Sequence, residues 1–333
     1  MARAGDASLR PFRAPASRRR ARALLECLGP WKLHLWRPSE REAEQRRSGG
    51  SRVRVLVAGS NGQLGLELAE LLPERGHEVA ALSRRDLDIT DAGAVDGAMG
   101  EHAPEVVINA AAFTNVDLCE TQTEAAYAVN ALGPRNLARA CERWGASLLH
   151  VSTNYVFDGG QERPYEPFDA ARPISAYGRT KLAGEEHVMR LTNRWTIVRT
   201  AGVYGRGHNF VRTMLRVAAE RDVMKVKDDE FVSPTNARDL AEGIIGIIET
   251  EGYGLYHLTN AGSCSWYEFT REIFRLKNVG TQLVPIPGSE YPLPAARPAN
   301  GVLSSLGSPA LRPWQEALAD YLEREAATAA AQG

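Results

Sequence analysis

A tyrosine and a lysine stand four residues apart in the segment SAYGRTKLAG, which covers residues 175–184. Residues at positions i and i+4 share one face of a helix, so Tyr177 and Lys181 should be neighbours if this segment is helical. A free tyrosine has a pKa of about 10 and is a poor acid at neutral pH, but a cation beside it lowers that pKa. The pair is therefore a candidate for acid–base catalysis, with Tyr177 transferring a proton.

Two hydroxyl side chains supply a candidate third group. The buried-strand pattern SLLHVST, residues 147–153, ends in Ser152 and Thr153. Strand ends of this kind face the ligand crevice in α/β folds, where a hydroxyl can hydrogen-bond a carbonyl and the alkoxide formed from it. Turn-forming hydroxyls at a strand end would explain these two residues alone. The catalytic interpretation depends on Thr153 occurring together with Tyr177 and Lys181.

A glycine-rich loop lies upstream of these groups. The segment AGSNGQLG places Gly59, Gly62 and Gly65 in a G-x-x-G-x-x-G spacing, directly after a predicted strand and at the start of a predicted helix. Glycines there let the backbone approach a pyrophosphate, and the helix N-terminus supplies N–H groups and a positive dipole end. A glycine-rich turn without a ligand is the alternative. The strand before and the helix after it favour a dinucleotide-binding loop.

The tip of the second predicted strand bears on the choice of cofactor. It reads Ser83, Arg84, Arg85, and two guanidinium groups could bind a 2′-phosphate bidentately. This favours NADPH. The alternative is a solvated basic loop in which Asp86 or Asp88 binds the ribose, as in NADH sites.

The surrounding pattern predicts the elements that would position these groups. Short apolar runs alternate with segments of helical spacing, which is typical of βαβ units and a parallel sheet covered on both faces. We therefore predict an α/β protein with a Rossmann-type doubly wound parallel sheet. The predicted strands are 53–59, 77–83, 105–112, 147–153 and 195–200, and the predicted helices are 63–76, 124–145 and 175–192.

The chain divides into three parts on this pattern. Residues 1–50 are rich in Arg, Ala and Ser and are predicted to be a disordered extension, with an organellar presequence as the alternative. Residues 51–200 are predicted to form an NAD(P)-binding Rossmann domain. Residues 201–330 are predicted to be mainly a smaller substrate-binding lobe, with some elements returning to the sheet. Within this part we expect helices at 209–222, 237–249, 265–276 and 314–327, a strand at 255–260, and a proline-rich loop at 284–298.

Composition narrows the class of protein. The formal net charge of −1 gives no reason to expect nucleic acid or an anionic membrane as a partner. No apolar run reaches the roughly 18 residues that a membrane span needs. The four cysteines, which show no C-x-x-C spacing and no clustering with histidine, predict free thiols in a cytoplasmic protein and no metal site. They are Cys27, Cys119, Cys141 and Cys264.

The motifs together resemble the dTDP-4-dehydrorhamnose reductase family, within the extended short-chain dehydrogenase/reductase superfamily. The resemblance runs from about residue 53 to about residue 325. It rests on the following segments, in chain order: GSNGQLG, LDITD, VVINAAAFTNVDLCE, NALGPRNLA, STNYVFDG, YGRTKLAGE, VRTAGVYG, NFVRTML, SPT and RP. It implies NADPH-dependent reduction of the 4-keto group of a dTDP-deoxysugar, giving dTDP-L-rhamnose from dTDP-4-dehydro-β-L-rhamnose, by an enzyme that could be a homodimer.

The resemblance also implies residue roles. Tyr177 would donate the proton to the C4 carbonyl, Lys181 would lower its pKa and hold the nicotinamide ribose, and Thr153 would orient the carbonyl. Thr153, Asn154, Asn209 and Arg297 would contact the substrate, although Arg297 could equally be a surface arginine. The other residues expected at the cofactor are Gly59, Gly62, Gln63, Leu64 and Gly65; Ser83, Arg84, Arg85, Asp88 and Ile89; and Ala111, Ala112, Phe113, Thr114 and Asn130.

Two positions depart from the family pattern. The family commonly has Asp where this chain has Asn154, and Trp, which packs near the sugar, where this chain has Gly202. A related deoxysugar therefore remains an alternative substrate. An epimerase or dehydratase of nucleotide sugars is a second alternative. A third is a non-catalytic regulatory subunit on the same fold, like the methionine adenosyltransferase beta subunit.

Overall fold

The structure is a computed structural model that describes residues 52–332. Residues 1–50, for which the sequence predicts an extension, lie outside the described range. The strands are β1 (Arg54–Ala58), β2 (Glu78–Leu82), β3 (Val106–Asn109), β4 (Ser147–Thr153), β5 (Trp195–Thr200), β6 (Val203–Tyr204), β7 (Val223–Lys227), β8 (Phe231–Val232), β9 (Thr235–Asn236), β10 (Gly254–His257), β11 (Cys264–Ser265), β12 (Gln282–Ile286) and β13 (Asn300–Gly301).

The α-helices alternate with the strands of the N-terminal part. They are α1 (Gln63–Glu74), α2 (Ala92–His102), α3 (Val116–Thr121), α4 (Thr123–Tyr127), α5 (Gly133–Trp144), α6 (Ala176–Leu191), α7 (Phe210–Ala218), α8 (Ala237–Glu249), α9 (Trp266–Lys277) and α10 (Trp314–Gln332). A π-helical turn, Ala128–Leu132, joins α4 to α5.

A six-stranded sheet forms the centre of the fold, in the order β10-β5-β4-β3-β1-β2, and every neighbouring pair is parallel. Alternate residues of β1 pack on opposite faces: Val55 and Val57 join one apolar cluster, and Leu56 and Ala58 join another. The sheet is therefore buried on both faces, as the continuous apolar strands require. This confirms the predicted Rossmann-type α/β fold. The order reverses between β1 and β3, where such folds bind ligands.

The remaining strands form small sheets outside this centre. They are a three-stranded sheet, β11-β8-β13, and two pairs, β12-β7 and β6-β9. A third apolar cluster, which includes Tyr204, Phe269 and Trp314, packs α7, α9 and α10 around them. Strand β10 comes from beyond residue 200 yet pairs with β5 in the central sheet. The division at residue 200 stays a prediction.

Three details differ from the pattern in the sequence. The predicted helix 124–145 is interrupted by the π-helical turn. The predicted proline-rich loop 284–298 begins inside β12, where Pro285 lies in a two-stranded sheet with β7, a position that tolerates proline because both strands are edges. Helix α2 was not predicted, since its glycines lower helix propensity; its N-cap Asp91 accepts hydrogen bonds from Gly93 N and Ala94 N. Within residues 52–332, no helix has the length and apolar character needed to cross a membrane.

Candidate active site

A cleft of about 910 Å³ lies at the carboxyl ends of the central strands. It brings together predicted site residues that are far apart in the sequence. Those lining it are Gly59, Gly62, Gln63, Leu64, Arg84, Asp88, Ile89, Ala111, Ala112, Phe113, Thr114, Thr153, Asn154, Tyr177, Lys181 and Asn209. The predicted residues that do not line it are Gly65, Ser83, Arg85, Asn130 and Arg297.

The glycine loop after β1 has the shape of a phosphate cradle. Gly59 has φ +86°, and a Cβ on it would lie 2.6 Å from Ala111 N. A Cβ on Gly65 would lie 2.2 Å from Gly59 O, so Gly65 allows α1 to pack against the loop. Gly62 is the N-cap of α1, whose first turn holds no acidic residue. Gln63 Oε1 is buried and has no hydrogen-bond partner among the described residues. A dinucleotide pyrophosphate fits this loop.

The turn after β2 leaves one arginine at the cleft. Ser83 donates through both N–H and hydroxyl to the Asp86 carboxylate, at 2.9 and 2.6 Å, and these bonds lower the pKa of Asp86. Asp88 is likewise bonded to the N–H and hydroxyl of Thr90. Both carboxylates are thus engaged in their own turns, while Arg84 is exposed at the cleft edge. The turn suits a phosphate better than a ribose diol.

Asn130 fastens the loop after β3 to helix α6. Its Oδ1 accepts from Phe113 N at 2.8 Å, and its Nδ2 donates to Phe113 O and Thr180 Oγ1, both at 3.1 Å. Opposite it, Gly184 allows a very close approach, because a Cβ there would lie 2.2 Å from Asn130 O. Asn130 therefore supports the helix that carries Lys181.

Helix α6 presents the Tyr–Lys pair to the cleft. Its N-cap Ser175 accepts from Gly178 N at 3.2 Å, which places Tyr177 in the first turn and Lys181 one turn further on. Lys181 is 2% exposed, and its Nζ donates to Val151 O at 2.7 Å. Burial lowers the pKa of Lys181 to about 8.

The sequence predicts that Lys181 lowers the pKa of Tyr177. In the structure the pKa of Tyr177 is instead raised. Burial raises the pKa of the Tyr177 phenol, and the hydroxyl of Thr153 acts in the opposite direction. Tyr177 is therefore held protonated, which is the state that a proton donor needs.

The end of β4 links the cleft to the C-terminal part of the chain. Thr153 Oγ1 accepts from Tyr155 N and donates to Asn154 Oδ1, each at 3.2 Å. Asn154 Nδ2 in turn donates to Gly301 O at 3.0 Å. The ring of Tyr155 packs edge-on against Tyr177, with 5.4 Å between the ring centroids. A second phenol thus lies beside the predicted proton donor.

The two remaining candidate substrate residues have protein partners. Arg297 forms a two-pronged ion pair with Asp117, at 3.0 and 2.9 Å. Asn209 is the N-cap of α7: its Oδ1 accepts from Arg212 N, and its Nδ2 lies 3.0 Å from Tyr321 Oη. Asn209 borders the cleft while Arg297 does not, and both substrate roles stay predictions.

Two further hydroxyls line the cleft: Ser152, which the sequence names beside Thr153 without a role in the site, and Thr200, which it does not single out. Ser152 Oγ and Thr200 Oγ1 are buried there without hydrogen-bond partners among the described residues. Thr200 ends β5 in register with Thr153 at the end of β4. A hydroxyl at the ends of two consecutive parallel strands is the signal that could have identified Thr200. Within the described residues, no group of three or more His, Cys, Asp or Glu side chains could hold a metal ion.

The sheet, the glycine loop and the Thr–Tyr–Lys cleft define a Rossmann-fold oxidoreductase. Residues 53–327 match the model of the family described as RmlD substrate binding domain. The chain belongs to this family, and the resemblance seen in its motifs is confirmed.

Curated relatives align over most of their length. The chain is 43% identical to a dTDP-4-dehydrorhamnose reductase from Streptomyces griseus, over 81% of this chain and 93% of that protein. It is 42% identical to a dTDP-4-keto-6-deoxy-D-glucose reductase from Streptomyces niveus, over 75% and 85%.

Solved structures agree with this assignment. A dTDP-4-dehydrorhamnose reductase from Clostridium acetobutylicum superposes with a TM-score of 0.80 at 43% identity, covering 81% of this chain and 98% of that one. A dTDP-4-dehydrorhamnose reductase from Bacillus anthracis, solved in complex with NADP, superposes with a TM-score of 0.79 at 38% identity, covering 82% and 100%.

Proposed function

We propose that this protein is an NADPH-dependent reductase that converts dTDP-4-dehydro-β-L-rhamnose to dTDP-L-rhamnose. The observation that carries the proposal is the convergence of Thr153, Tyr177 and Lys181 on the cleft that also holds the glycine loop. The NADP complex of the Bacillus anthracis relative and the reductase relatives support the choice of cofactor and of substrate class.

The mechanism assigns one task to each of the three side chains. Bound NADPH supplies a hydride to the carbonyl carbon. Tyr177 gives its hydroxyl proton to the carbonyl oxygen. The Thr153 hydroxyl, which donates to Asn154 Oδ1 in the structure, turns to donate a hydrogen bond to the same oxygen as charge develops on it. The Lys181 ammonium stabilises the phenolate that forms on Tyr177.

Replacement of the phenol tests the proton donor. We expect Tyr177→Phe to lower kcat for NADPH oxidation with the 4-keto sugar nucleotide by roughly 10²- to 10⁴-fold, the usual contribution of a positioned acid. Tyr155→Phe is the matched comparison, since it removes the other phenol of the cleft. Full turnover by Tyr177→Phe would refute the assignment. A loss confined to Tyr155→Phe would transfer the role to that residue.

A related 4-keto deoxysugar is a second candidate substrate. Gly202 lines the cleft with φ +53°, and a Cβ on it would lie 3.0 Å from Val232 Cγ2. The aromatic side chain common in the family is thus absent from this wall, and one relative reduces a different sugar by its name. A panel of nucleotide 4-keto sugars, each assayed with NADPH and with NADH, ranks the candidates by kcat/KM. If no sugar is reduced by the purified protein, the reductase proposal fails.

Two further properties remain predictions. A cytoplasmic location follows only from the sequence argument about free thiols. Of the four cysteines, Cys119, Cys141 and Cys264 are free and buried, and Cys27 lies outside the described residues. The homodimer is tested by light scattering of the purified protein.

A further inference from the structure

One buried titratable side chain touches the site without any role in the proposed reaction. His150 lies within β4 and is 0% exposed. Its Nε2 is 3.4 Å from Lys181 Nζ, and its Nδ1 is 3.1 Å from Asn109 Nδ2 on the neighbouring strand β3. Each ring nitrogen of this buried side chain therefore has a polar neighbour within 3.4 Å.

The hydrogen bonds determine which ring nitrogen of His150 carries the proton. Asn109 Oδ1 accepts from the backbone N–H of Ala111 at 3.1 Å. This bond fixes the orientation of the Asn109 amide. In the flipped amide the side-chain NH₂ would face the N–H of Ala111, which is also a donor. Asn109 Nδ2 must therefore donate to His150 Nδ1, and the ring proton lies on Nε2. Burial and the adjacent Lys181 keep the pKa of His150 well below its ordinary value, so the ring stays neutral.

The proton on Nε2 faces the catalytic lysine. The charged ammonium of Lys181 has only donors, so it finds no acceptor at His150 Nε2–H. The neutral amine has a lone pair, which can accept a hydrogen bond from Nε2–H. We propose that His150, held by Asn109, is a positioning residue that favours the neutral amine of Lys181 and makes this lysine a proton carrier near neutral pH. The catalytic part of this proposal rests on the proposed reductase function.

The proton balance of the cycle is simple. After Tyr177 has given its proton to the substrate oxygen, an N–H bond of the Lys181 ammonium breaks and an O–H bond forms on the phenolate. The neutral amine then accepts the hydrogen bond from His150 Nε2–H. A proton from solvent restores the ammonium, so that one solvent proton is consumed for each hydride transferred.

The charged groups around Lys181 do not cancel this effect. Glu185, one turn further along α6, favours the ammonium, but its carboxylate is bonded to Arg199 of β5 at 2.9 and 2.6 Å. Other titratable groups lie on α3 and on the 3-10 turn after β4, which pack against α6. They are Glu120 and Asp117, each paired with an arginine (Arg179 and Arg297), and the neutral side chains of Cys119 and Tyr155.

The scarcity of lysine permits a direct measurement. The chain has five lysines, which are Lys32, Lys181, Lys225, Lys227 and Lys277. Protein labelled with ¹³Cε-lysine therefore gives a spectrum of few signals, and Lys181→Met assigns the one of interest. We expect Lys181 to titrate near pH 8, whereas exposed lysines titrate at about 10.4. This measurement needs neither substrate nor cofactor.

Asn109→Asp reverses the proposed tautomer. A carboxylate only accepts hydrogen bonds, so it accepts from Ala111 N and requires the proton on His150 Nδ1, which turns the Nε2 lone pair towards Lys181. We expect the Lys181 midpoint to rise by about one pH unit or more, at least a tenfold change in its acid dissociation constant. The same substitution in a His150→Leu background measures the direct effect of the added charge. The difference between the two shifts is the contribution of the histidine.

Two further measurements test the proposal even if Asn109→Asp does not fold. Imidazole ¹⁵N spectra of the wild type should show His150 neutral with its proton on Nε2. His257→Asn, which removes a buried histidine on β10 whose Nδ1 contacts Tyr165 O, should leave the Lys181 midpoint unchanged. A proton on Nδ1, or a Lys181 that titrates with the exposed lysines, would overturn the inference and leave the reductase proposal standing. If the Lys181 midpoint is lowered but the protein reduces no 4-keto sugar, the reductase proposal fails and the inference about His150 and Lys181 stands.

Discussion

The amide of Asn154 performs a task that a carboxylate cannot. Its Nδ2 donates to Gly301 O at 3.0 Å, and its Oδ1 accepts from Thr153 Oγ1. The contact with β13 is so close that a Cβ on Gly301 would lie 2.4 Å from Nδ2. An aspartate at this position would place a negative oxygen against a carbonyl oxygen. The amide of Asn154 therefore ties the end of β4 to the C-terminal part of the chain.

Replacement of the Asn154 amide tests this contact between the end of β4 and β13. We expect Asn154→Asp to lower the free energy of unfolding by about 1–3 kcal/mol, because a buried hydrogen-bond donor is lost and a charge is buried. Urea unfolding at pH 7 measures the change. Asn115→Asp is the control, since Asn115 caps α3 by accepting from Leu118 N and aspartate caps equally well. Equal losses in both variants would contradict this account.

The sequence predicted the residues whose spacing is local and missed those that depend on tertiary contacts. Tyr177 and Lys181 are recognisable because four residues make one helical turn. His150 lies in an apolar strand, 31 residues before the lysine that it touches, and nothing local distinguishes it. The raised pKa of Tyr177 was likewise not predictable, because it depends on burial by several separate segments.

At the level of elements, helix α6 approaches the π-helical turn without room for a side chain. A Cβ on Gly184 would lie 2.2 Å from Asn130 O and 3.3 Å from Pro134 Cγ. The same turn presents Asn130 to the loop after β3. The glycine thus sets the distance between the helix that carries Tyr177 and Lys181 and the loop that borders the cleft.

A single methyl group tests this close approach. We expect Gly184→Ala to lower the free energy of unfolding by about 1–3 kcal/mol through overpacking, and to lower kcat because α6 must shift. Gly246→Ala in α8 is the matched control: its Cβ would have no neighbour within 4 Å, and removing a helical glycine stabilises by about 0.5–1 kcal/mol. Thermal unfolding and activity of both variants check the prediction. A stabilised Gly184→Ala would contradict it.

The elements themselves were predictable to different degrees. The inner strands of the central sheet (β1, β3, β4 and β5) were found because a parallel strand buried on both faces is a short continuous apolar run. The π-helical turn was not, since it adds one residue to a helix without changing its apolar pattern visibly. The sequence predicted a doubly wound parallel sheet but not the order of its strands, because contacts between distant segments determine which strands pair.

Across the whole molecule, the central sheet holds two neutral histidines, one on β4 and one on β10. Burial lowers the pKa of His150 well below its ordinary value and that of His257 to about 3. In the unfolded chain both would titrate at about 6.5. Because the unfolded state binds these protons more readily, the contribution to stability is complete above pH 6.5. It is lost as the pH falls from 6.5 towards the folded pKa.

We therefore expect the free energy of unfolding to fall as the pH is lowered below 6.5, before the carboxylates titrate. Each buried histidine should contribute a slope of at most about 1.4 kcal/mol per pH unit. His257→Asn keeps a side-chain N–H near Tyr165 O but removes the titrating ring, so its stability should fall less steeply between pH 6 and pH 4. Urea unfolding across this range compares the two proteins. Identical slopes would show that His257 becomes charged in the folded state without cost.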